Sequence, residues 1–313
     1  MSSWAVLSGC PETLTGRREF TESGTLPWSI PLRLPTRPNR QNGRHENGQN
    51  YLVNTGTVER LLACVPDDHS PVVEIGPGQG ALTFPLKERL LPEGRSLTTV
   101  EIDPETVQWL EKRLDPSVRL FEQDFLEHKL PEKPHVVVGN LPFHLTTAML
   151  RHILHSPGWT HAVLLVQWEV ARRRAGVGGA TMMTAQWWPW IHFDLHGRVP
   201  ASHFAPRPTV DGGVLSMQRR ESPLLDWDSR RRYTSFVYAV FTGKGRGIAA
   251  ILRRVGRGDG GGGGDRRGGR RGRGRGGVDG AVDVAMREAG VSGAALPKDL
   301  AADQWVTLFN RLG

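Results

Sequence analysis

Three glycines at alternate positions follow a short apolar run near residue 75. The run Val72–Ile75 predicts a buried strand, and Gly76–Gly80 follows it directly. Because glycine allows tight turns and close approach of a ligand to the backbone, this segment predicts a nucleotide-binding turn between a strand and a helix. The spacing G-x-G-x-G differs from the dinucleotide fingerprint G-x-G-x-x-G, which favours a ligand without a pyrophosphate. Gly76 and Gly78 are therefore predicted cofactor contacts.

Short apolar runs recur between residues 72 and 166, and the stretches between them are long enough for crossover helices. This alternation predicts a Rossmann-like α/β fold with a doubly wound, mainly parallel sheet. Two later runs, Trp190–Leu195 and Gly213–Met217, are closer together and predict an antiparallel pair at one sheet edge. The five candidate parallel strands are Val72–Ile75, Leu97–Ile102, Val118–Phe121, His135–Val138 and Ala162–Val166.

The strand pattern ends near Arg220, and helical periodicity replaces it. We therefore expect a sheet domain over residues 44–220 and a small C-terminal helical domain over 221–313. Residues 1–43 lack a sustained period and predict a disordered leader. The four candidate helices of the C-terminal domain are Tyr233–Phe241, Ile248–Val255, Val282–Ala289 and Ala301–Leu312.

A glycine- and arginine-rich tract interrupts the predicted helical domain. Its 22 residues, 256–277, are thirteen Gly, seven Arg and two Asp. With no apolar side chain to bury, the tract is predicted to be disordered. Two readings stay open: a solvated linker or sequence artefact, and an arm that holds RNA electrostatically.

The charge balance favours a polyanionic partner. Forty Lys and Arg against 32 Asp and Glu give a net charge of +8 and a pI of about 10.1. No apolar run approaches the roughly 20 residues that a membrane span needs. The two cysteines lack metal-type spacing, as do the histidines. We therefore expect a cytoplasmic protein without a metal site and without a membrane anchor.

Acidic residues follow the second and third predicted strands. Glu101 is placed to accept hydrogen bonds from ribose hydroxyls, and Asp124 from an adenine amino group, with Ile102 packed on the ring. These positions predict a nucleoside site at the carboxyl edge of the sheet. The alternative is a glycine-rich turn in which Asp103 and Asp124 only cap helices.

The segment Asn140–Phe143 follows the fourth predicted strand at the same edge. An exocyclic adenine amine is a poor nucleophile because its lone pair is delocalised into the ring. The Asn140 side-chain oxygen and the Leu141 carbonyl would accept its two N–H bonds and localise that lone pair. Phe143 offers a face on which a flipped base can stack. The alternative is an ordinary Asn/Pro loop with a core Phe.

These motifs resemble those of the rRNA adenine N6-methyltransferases, and within them the Erm macrolide-resistance enzymes. The resemblance runs from about residue 49 to 217, and the run 177–190 is similar to the actinomycete members. The motifs that carry it are Gln49–Leu52, Glu74–Gly80, Val100–Asp103, Gln123–Phe125, Gly139–Phe143, Gln167–Arg173 and Phe204–Asp211.

The resemblance implies a class I methyltransferase that uses S-adenosyl-L-methionine. Its implied acceptor is one adenine of unassembled or early precursor 23S rRNA, whose methylation blocks macrolides, lincosamides and streptogramin B. We expect a monomer. The implied catalytic residues are Asn140, Leu141 and Phe143. The implied cofactor contacts are Asn50, Leu52, Gly76, Gly78, Glu101, Ile102, Asp124, Phe125 and Asn140.

Three alternatives stay open at this point. A sister branch, which dimethylates adenines of small-subunit rRNA, shares nearly every motif. A non-catalytic RNA-binding assembly factor could keep the same fold. A dehydrogenase is disfavoured by the glycine spacing.

Basic and aromatic clusters outside the motifs also bear on RNA binding. Arg172, Arg173 and Arg174 follow the fifth predicted strand, so each is predicted either to contact RNA phosphates or to lie on a solvated helix face. Trp187, Trp188 and Trp190 are predicted core residues rather than stacking platforms.

Overall fold

The fold was analysed in a computed structural model that describes residues 50–258 and 275–313. The predicted leader, residues 1–43, lies outside the described residues. The strands are β1 (Tyr51–Leu52), β2 (Val72–Ile75), β3 (Leu97–Glu101), β4 (Arg119–Glu122), β5 (His135–Asn140), β6 (Trp159–Gln167), β7 (Ile191–Val199), β8 (Phe204–Ala205) and β9 (Gly212–Arg219). The helices are α1 (Thr55–Ala63), α2 (Thr83–Leu90), α3 (Pro104–Glu111), α4 (Thr146–His155), α5 (Trp168–Arg174), α6 (Met182–Trp187), α7 (Arg230–Thr242), α8 (Ile248–Arg257), α9 (Arg275–Glu288) and α10 (Ala302–Leu312).

Within the described residues, seven strands form one sheet in the order β4-β3-β2-β5-β6-β9-β7. Strands β2 to β6 are parallel, and β9 runs antiparallel between β6 and β7. The doubly wound α/β class and the antiparallel pair are thus as predicted. The later strand takes the inner place because β9 is mostly buried, whereas β7 begins with alternating buried and exposed residues, as an edge strand does.

The first and third helices begin at side-chain caps. Asn54 accepts a hydrogen bond from the Thr57 N–H at 2.9 Å and starts α1. Asp103 accepts from the Glu105 N–H at 3.2 Å, and Pro104 occupies the first turn of α3. Helix α1 follows β1 and α3 follows β3, so the caps fix the direction in which the chain leaves these two strands.

The C-terminal helices bury their apolar faces on the same hydrophobic cluster as the sheet. Tyr233 of α7 is fully buried, and its hydroxyl donates to the Ala185 carbonyl at 2.9 Å. Tyr233 also packs edge-to-face against Trp190 and Phe309, with centroids 5.6 and 5.2 Å away. Trp187 and Trp190 are buried, as predicted for core residues, and Trp188 is half-buried. The domain boundary at residue 220 stays a prediction.

Both ends of the glycine- and arginine-rich tract lie in helices. Gly256 and Arg257 belong to α8, and α9 begins at Arg275, so the prediction of disorder over 256–277 is wrong at both ends. An ion pair between Arg257 and Asp279, with N–O distances of 2.6 and 2.7 Å, joins the two helices there. Residues 259–274 lie outside the described residues.

No helix among the described residues is long and apolar enough to span a membrane. The described residues also contain no cluster of three or more His, Cys, Asp or Glu side chains that could hold a metal ion.

Candidate active site

A cleft opens at the carboxyl ends of β2, β3 and β5. It is lined by residues from the glycine turn, the ends of these strands and the segment that leads into β1. All the predicted catalytic and cofactor residues line this one cleft: Asn50, Leu52, Gly76, Gly78, Glu101, Ile102, Asp124, Phe125, Asn140, Leu141 and Phe143. The sequence positions therefore converge in space, while their chemical roles stay predictions.

The glycine turn after β2 needs left-handed backbone. Gly76, Gly78 and Gly80 have φ values of +60°, +51° and +77°, which side chains with a Cβ rarely adopt. A Cβ on Gly78 would also lie 2.9 Å from the Tyr51 ring. The turn therefore takes this conformation, and brings its backbone to the edge of the cleft, because glycine occupies it.

Glu101 links the glycine turn to the end of β3. Its carboxylate accepts the Gly78 N–H at 3.0 Å on one oxygen, and the Ile102 and Asp103 N–H groups at 2.9 and 3.1 Å on the other. Burial raises the pKa of Glu101, and these backbone donors act in the opposite direction. Oε2, which accepts only the Gly78 N–H, keeps a lone pair, so the predicted contact to ribose hydroxyls is compatible with this geometry.

Glu74 is a cleft residue that the sequence analysis did not assign. Its side chain is 1% exposed, and its Oε2 has no hydrogen-bond partner among the described residues. Burial, reinforced by the charge of Glu101, raises the pKa of Glu74 to about 8. The Thr83 hydroxyl is close enough to lower that pKa in part, but the two groups do not form a hydrogen bond of normal geometry. The acidic position two residues before the first glycine was the available signal.

Asn140 ends β5 with its carboxamide held in one orientation. Its Nδ2 donates to the Asn50 carbonyl at 2.8 Å, which leaves Oδ1 as the acceptor available to a ligand. Asn50 precedes β1, and β1 pairs with β8 through Tyr51–Ala205 and Leu52–Phe204. The upstream motif therefore acts on Asn140 through its backbone.

The carbonyl of Leu141 is also available. The Leu141 side chain is buried and its N–H donates to the Leu165 carbonyl at 2.9 Å, whereas its own carbonyl accepts no hydrogen bond from the described residues. The next carbonyl, that of Pro142, is already occupied by the Leu145 N–H at 3.0 Å. Asn140 Oδ1 and the Leu141 carbonyl thus remain as the acceptors that the sequence predicted.

Phe143 lies beside them and is supported from behind. Its ring meets Phe204 edge-to-face with centroids 5.9 Å apart. Phe204 is buried in β8, so the short β1–β8 sheet supports both Asn140 and Phe143. The contact with Phe204 therefore holds the Phe143 ring in its orientation.

The residues predicted to contact the adenine ring of the cofactor differ from one another in exposure. Asp124 accepts the Leu126 N–H at 2.8 Å, so it makes the turn contact that was the alternative to ligand binding. Its second carboxylate oxygen remains for a ligand. Ile102 is 52% exposed, as an apolar cover for a ring requires. The Phe125 side chain is buried against His152, with centroids 5.1 Å apart, so only its backbone is suited to contact a cofactor.

The arginines after β6 are not equivalent. Arg174 is 8% exposed and its Nη1 contacts the Thr181 hydroxyl, so the prediction that it lies on a surface available to RNA is wrong. Ala171 and Arg174 are three residues apart on the inward face of α5, which explains the burial. Arg172 pairs with Glu169 at 2.9 Å, and Arg173 lies 3.8 Å from the same carboxylate with 62% of its side chain exposed.

The parallel sheet, the glycine turn and the cleft define a Rossmann-like methyltransferase fold. Residues 40–260 match the family model described as ribosomal RNA adenine dimethylase, and the chain belongs to this family. It is 50% identical over 215 residues to an rRNA adenine N-6-methyltransferase of Corynebacterium diphtheriae, covering 68% of this chain and 83% of that protein.

Two further relatives agree with this assignment. The chain is 43% identical to the mycinamicin-resistance protein MyrB of Micromonospora griseorubida, over 85% of this chain and 78% of that protein. It superposes on the crystal structure of the 23S rRNA methyltransferase ErmE with a TM-score of 0.70 at 31% identity, covering 84% of this chain and 99% of that one. The family and fold predictions are confirmed.

Proposed function

We propose that this protein transfers methyl groups from S-adenosyl-L-methionine to N6 of one adenine in 23S rRNA, and that it thereby confers resistance to macrolides, lincosamides and streptogramin B. The observation that carries the proposal is the pair of free acceptors, Asn140 Oδ1 and the Leu141 carbonyl, in the cleft that also contains the glycine turn. The names of MyrB and ErmE support the choice of acceptor RNA and the resistance.

The cleft suits a sulfonium nucleoside. Left-handed glycines form a cradle that a Cβ would fill, and Glu74 presents a buried oxygen without a partner. Glu101 would hold the ribose, Asp124 the adenine amino group, and Ile102 the ring face. When bound, S-adenosyl-L-methionine supplies an activated methyl group, so neither a metal ion nor a covalent nucleophile is needed.

The chain's own residues prepare the acceptor base. Asn140 Oδ1 and the Leu141 carbonyl accept the two N–H bonds of the adenine amine and concentrate its lone pair on nitrogen. Phe143 stacks on the flipped base and excludes water from one face. The β1–β8 sheet keeps both groups in place, so positioning of the acceptor base contributes to the rate enhancement.

The finer details belong to the same proposal. The acceptor is 23S rRNA before it is assembled, the protein acts as a monomer, and it works in the cytoplasm. The net charge of +8 supports a polyanionic acceptor.

Transfer of labelled methyl groups to purified rRNA tests the proposal. We expect incorporation into protein-depleted, unmethylated 23S rRNA and background incorporation into 16S rRNA under the same conditions. Incorporation only into 16S rRNA would instead assign the protein to the small-subunit branch. RNA binding without incorporation into either RNA would indicate a non-catalytic assembly factor.

A further inference from the structure

A second cavity lies at the end of the sheet where the parallel strand β6 begins, opposite the end that carries the active-site cleft. Its volume is about 480 Å³, and its walls include Trp159 at the start of β6, Arg219 at the end of β9 and Arg230 at the start of α7. Asn140 of the active site pairs with Leu165, near the other end of β6. At about 3.3 Å per residue, the cavity is roughly 20 Å from Asn140.

Arginine and tryptophan side chains form most of the polar and aromatic wall. The Arg230 guanidinium lies 4.1 Å from the Trp187 ring centroid and 5.1 Å from that of Trp227. The Arg219 guanidinium lies 4.6 Å from the Trp159 centroid. No Asp or Glu of the described residues lines the cavity. The wall is therefore both positively charged and aromatic.

The two guanidinium groups retain unused donors. Arg230 Nε is buried without a hydrogen-bond partner, and its Nη2 lies 3.4 Å from His155 Nε2. Arg219 donates to the carbonyls of Trp159 and Ser156 at 2.7 and 2.8 Å through Nε and Nη2, which leaves Nη1 without a described acceptor. Neither group forms an ion pair with a described carboxylate, although Asp226 and Asp228 flank Trp227 in the sequence.

The charges of the two wall arginines are not balanced by a carboxylate of the described residues. Burial lowers the pKa of both arginines, because their charges are partly desolvated without a counter-ion. Trp227 is 53% exposed even though it forms part of the wall. An anion would offset the desolvation, and a planar group would cover the exposed ring.

We propose that this cavity binds one nucleotide of the RNA substrate, with its phosphate at Arg219 and Arg230 and its base against Trp227. The combination of a guanidinium pair with an exposed aromatic face is the chemistry that holds a single-stranded nucleotide. The identity of the RNA rests on the proposed function, whereas the ligand class rests on the cavity. A free nucleotide would offer the same phosphate and base, so the experiment must distinguish a free nucleotide from a nucleotide within the RNA chain.

The test compares single substitutions inside the cavity with a matched one outside it. Arg230→Gln removes a lining charge, and Arg231→Gln removes the same charge from the next, exposed residue of α7. Affinity for a 23S rRNA fragment at fixed salt is measured by fluorescence anisotropy. We expect a roughly tenfold loss for Arg230→Gln and for Trp227→Ala, about twofold or less for Arg231→Gln, and near-wild-type affinity for Trp227→Phe.

Equal losses for Arg230→Gln and Arg231→Gln would overturn the proposal, because the effect would then be general electrostatics. Calorimetry with adenosine and uridine monophosphates provides the second arm. Nucleotide binding that Arg230→Gln abolishes, together with unchanged RNA affinity, would assign the cavity to a free nucleotide and overturn the RNA assignment.

A measurement on the unmodified protein guards against misfolded variants. Photo-crosslinking of rRNA that contains 4-thiouridine should label the peptide that carries Trp227, and crosslinks confined to the active-site cleft would contradict the proposal. Methyl transfer at saturating RNA should be unchanged in the cavity variants. If wild type itself transfers no methyl group, the proposed function fails, while the binding comparison still decides the fate of the cavity proposal.

Discussion

Asn140 has two separable hydrogen-bonding functions at its single carboxamide. Nδ2 is engaged by the Asn50 carbonyl at 2.8 Å, and Oδ1 faces the cleft. We expect Asn140→Ala to lower kcat by about 10²–10³-fold, the cost of losing one preorganised transition-state contact. Cofactor affinity measured by calorimetry should change little, because the glycine turn and Glu101 remain. A matching loss of S-adenosyl-L-methionine affinity would show that Asn140 acts mainly on the donor.

Glu74 makes the stability of the unliganded protein depend on pH. The pKa of Glu74 is about 8 in the folded state against 4.5 for an unperturbed glutamate, so the folded state binds the extra proton between these limits. Stability then falls as pH rises through this window, at up to roughly 1.4 kcal/mol per pH unit, and the loss is complete above pH 8. Glu74→Gln is neutral throughout and avoids this loss.

The difference in melting temperature between wild type and Glu74→Gln isolates this residue, because other titrations cancel. We expect the melting temperature of wild type to fall steadily relative to that of Glu74→Gln from pH 5 to pH 8. A difference that is constant over this range would mean that Glu74 stays ionised in the fold.

At the scale of elements, the turn between β2 and α2 depends on glycine for two reasons. Gly78→Ala incurs the cost of left-handed backbone, about 1–2 kcal/mol, and places a Cβ against Tyr51. Gly94→Ala is the matched control, since Gly94 also has positive φ (+71°) but open space around it. We expect both to lower the melting temperature and only Gly78→Ala to reduce cofactor affinity, by more than about tenfold. Equal cofactor affinities in the two variants would contradict the proposal that the glycine turn contacts the cofactor.

The sequence predicted the elements that follow strong local patterns. Val72–Ile75 is a strand with the predicted bounds, and the β7 and β9 pair was recognised from two close apolar runs. The third strand was misplaced by one residue, as β4 begins at Arg119 and is largely exposed, so its apolar pattern is weak. Local patterns also placed Glu101 and Asn140 at the cleft, because parallel strands end at one edge.

Features that depend on tertiary contacts were not predictable in this way. Arg174 reads as one of three equivalent basic residues, yet it is buried beside Thr181. The bond between Asn140 and Asn50 joins residues 90 positions apart. The ends of the glycine-rich tract belong to α8 and α9, which the Arg257–Asp279 pair joins, and composition alone does not reveal this. In each case the outcome depends on contacts of the folded chain that a local sequence pattern does not show.

At the scale of the whole molecule, the arginines of residues 259–274 separate the two readings of the tract. If they hold RNA, replacing all five with serine should make the slope of log affinity against log salt shallower by up to about 3, because fewer counter-ions are released. A linker predicts identical slopes. Replacing five glycines of the same stretch with serine is the control for chain stiffness. The five are Arg266, Arg267, Arg270, Arg271 and Arg273.

The central claim, adenine N6-methylation of 23S rRNA by the Asn140–Phe143 segment, is tested most directly by mapping methylated bases in cells. We expect 23S rRNA from cells that express wild type to contain N6-methylated adenine at one position, detected by mass spectrometry and by a primer-extension stop, together with macrolide resistance. Cells that express Asn140→Ala at the same level should show neither. Equal methylation in the two strains, or a modified base only in 16S rRNA, would contradict the account.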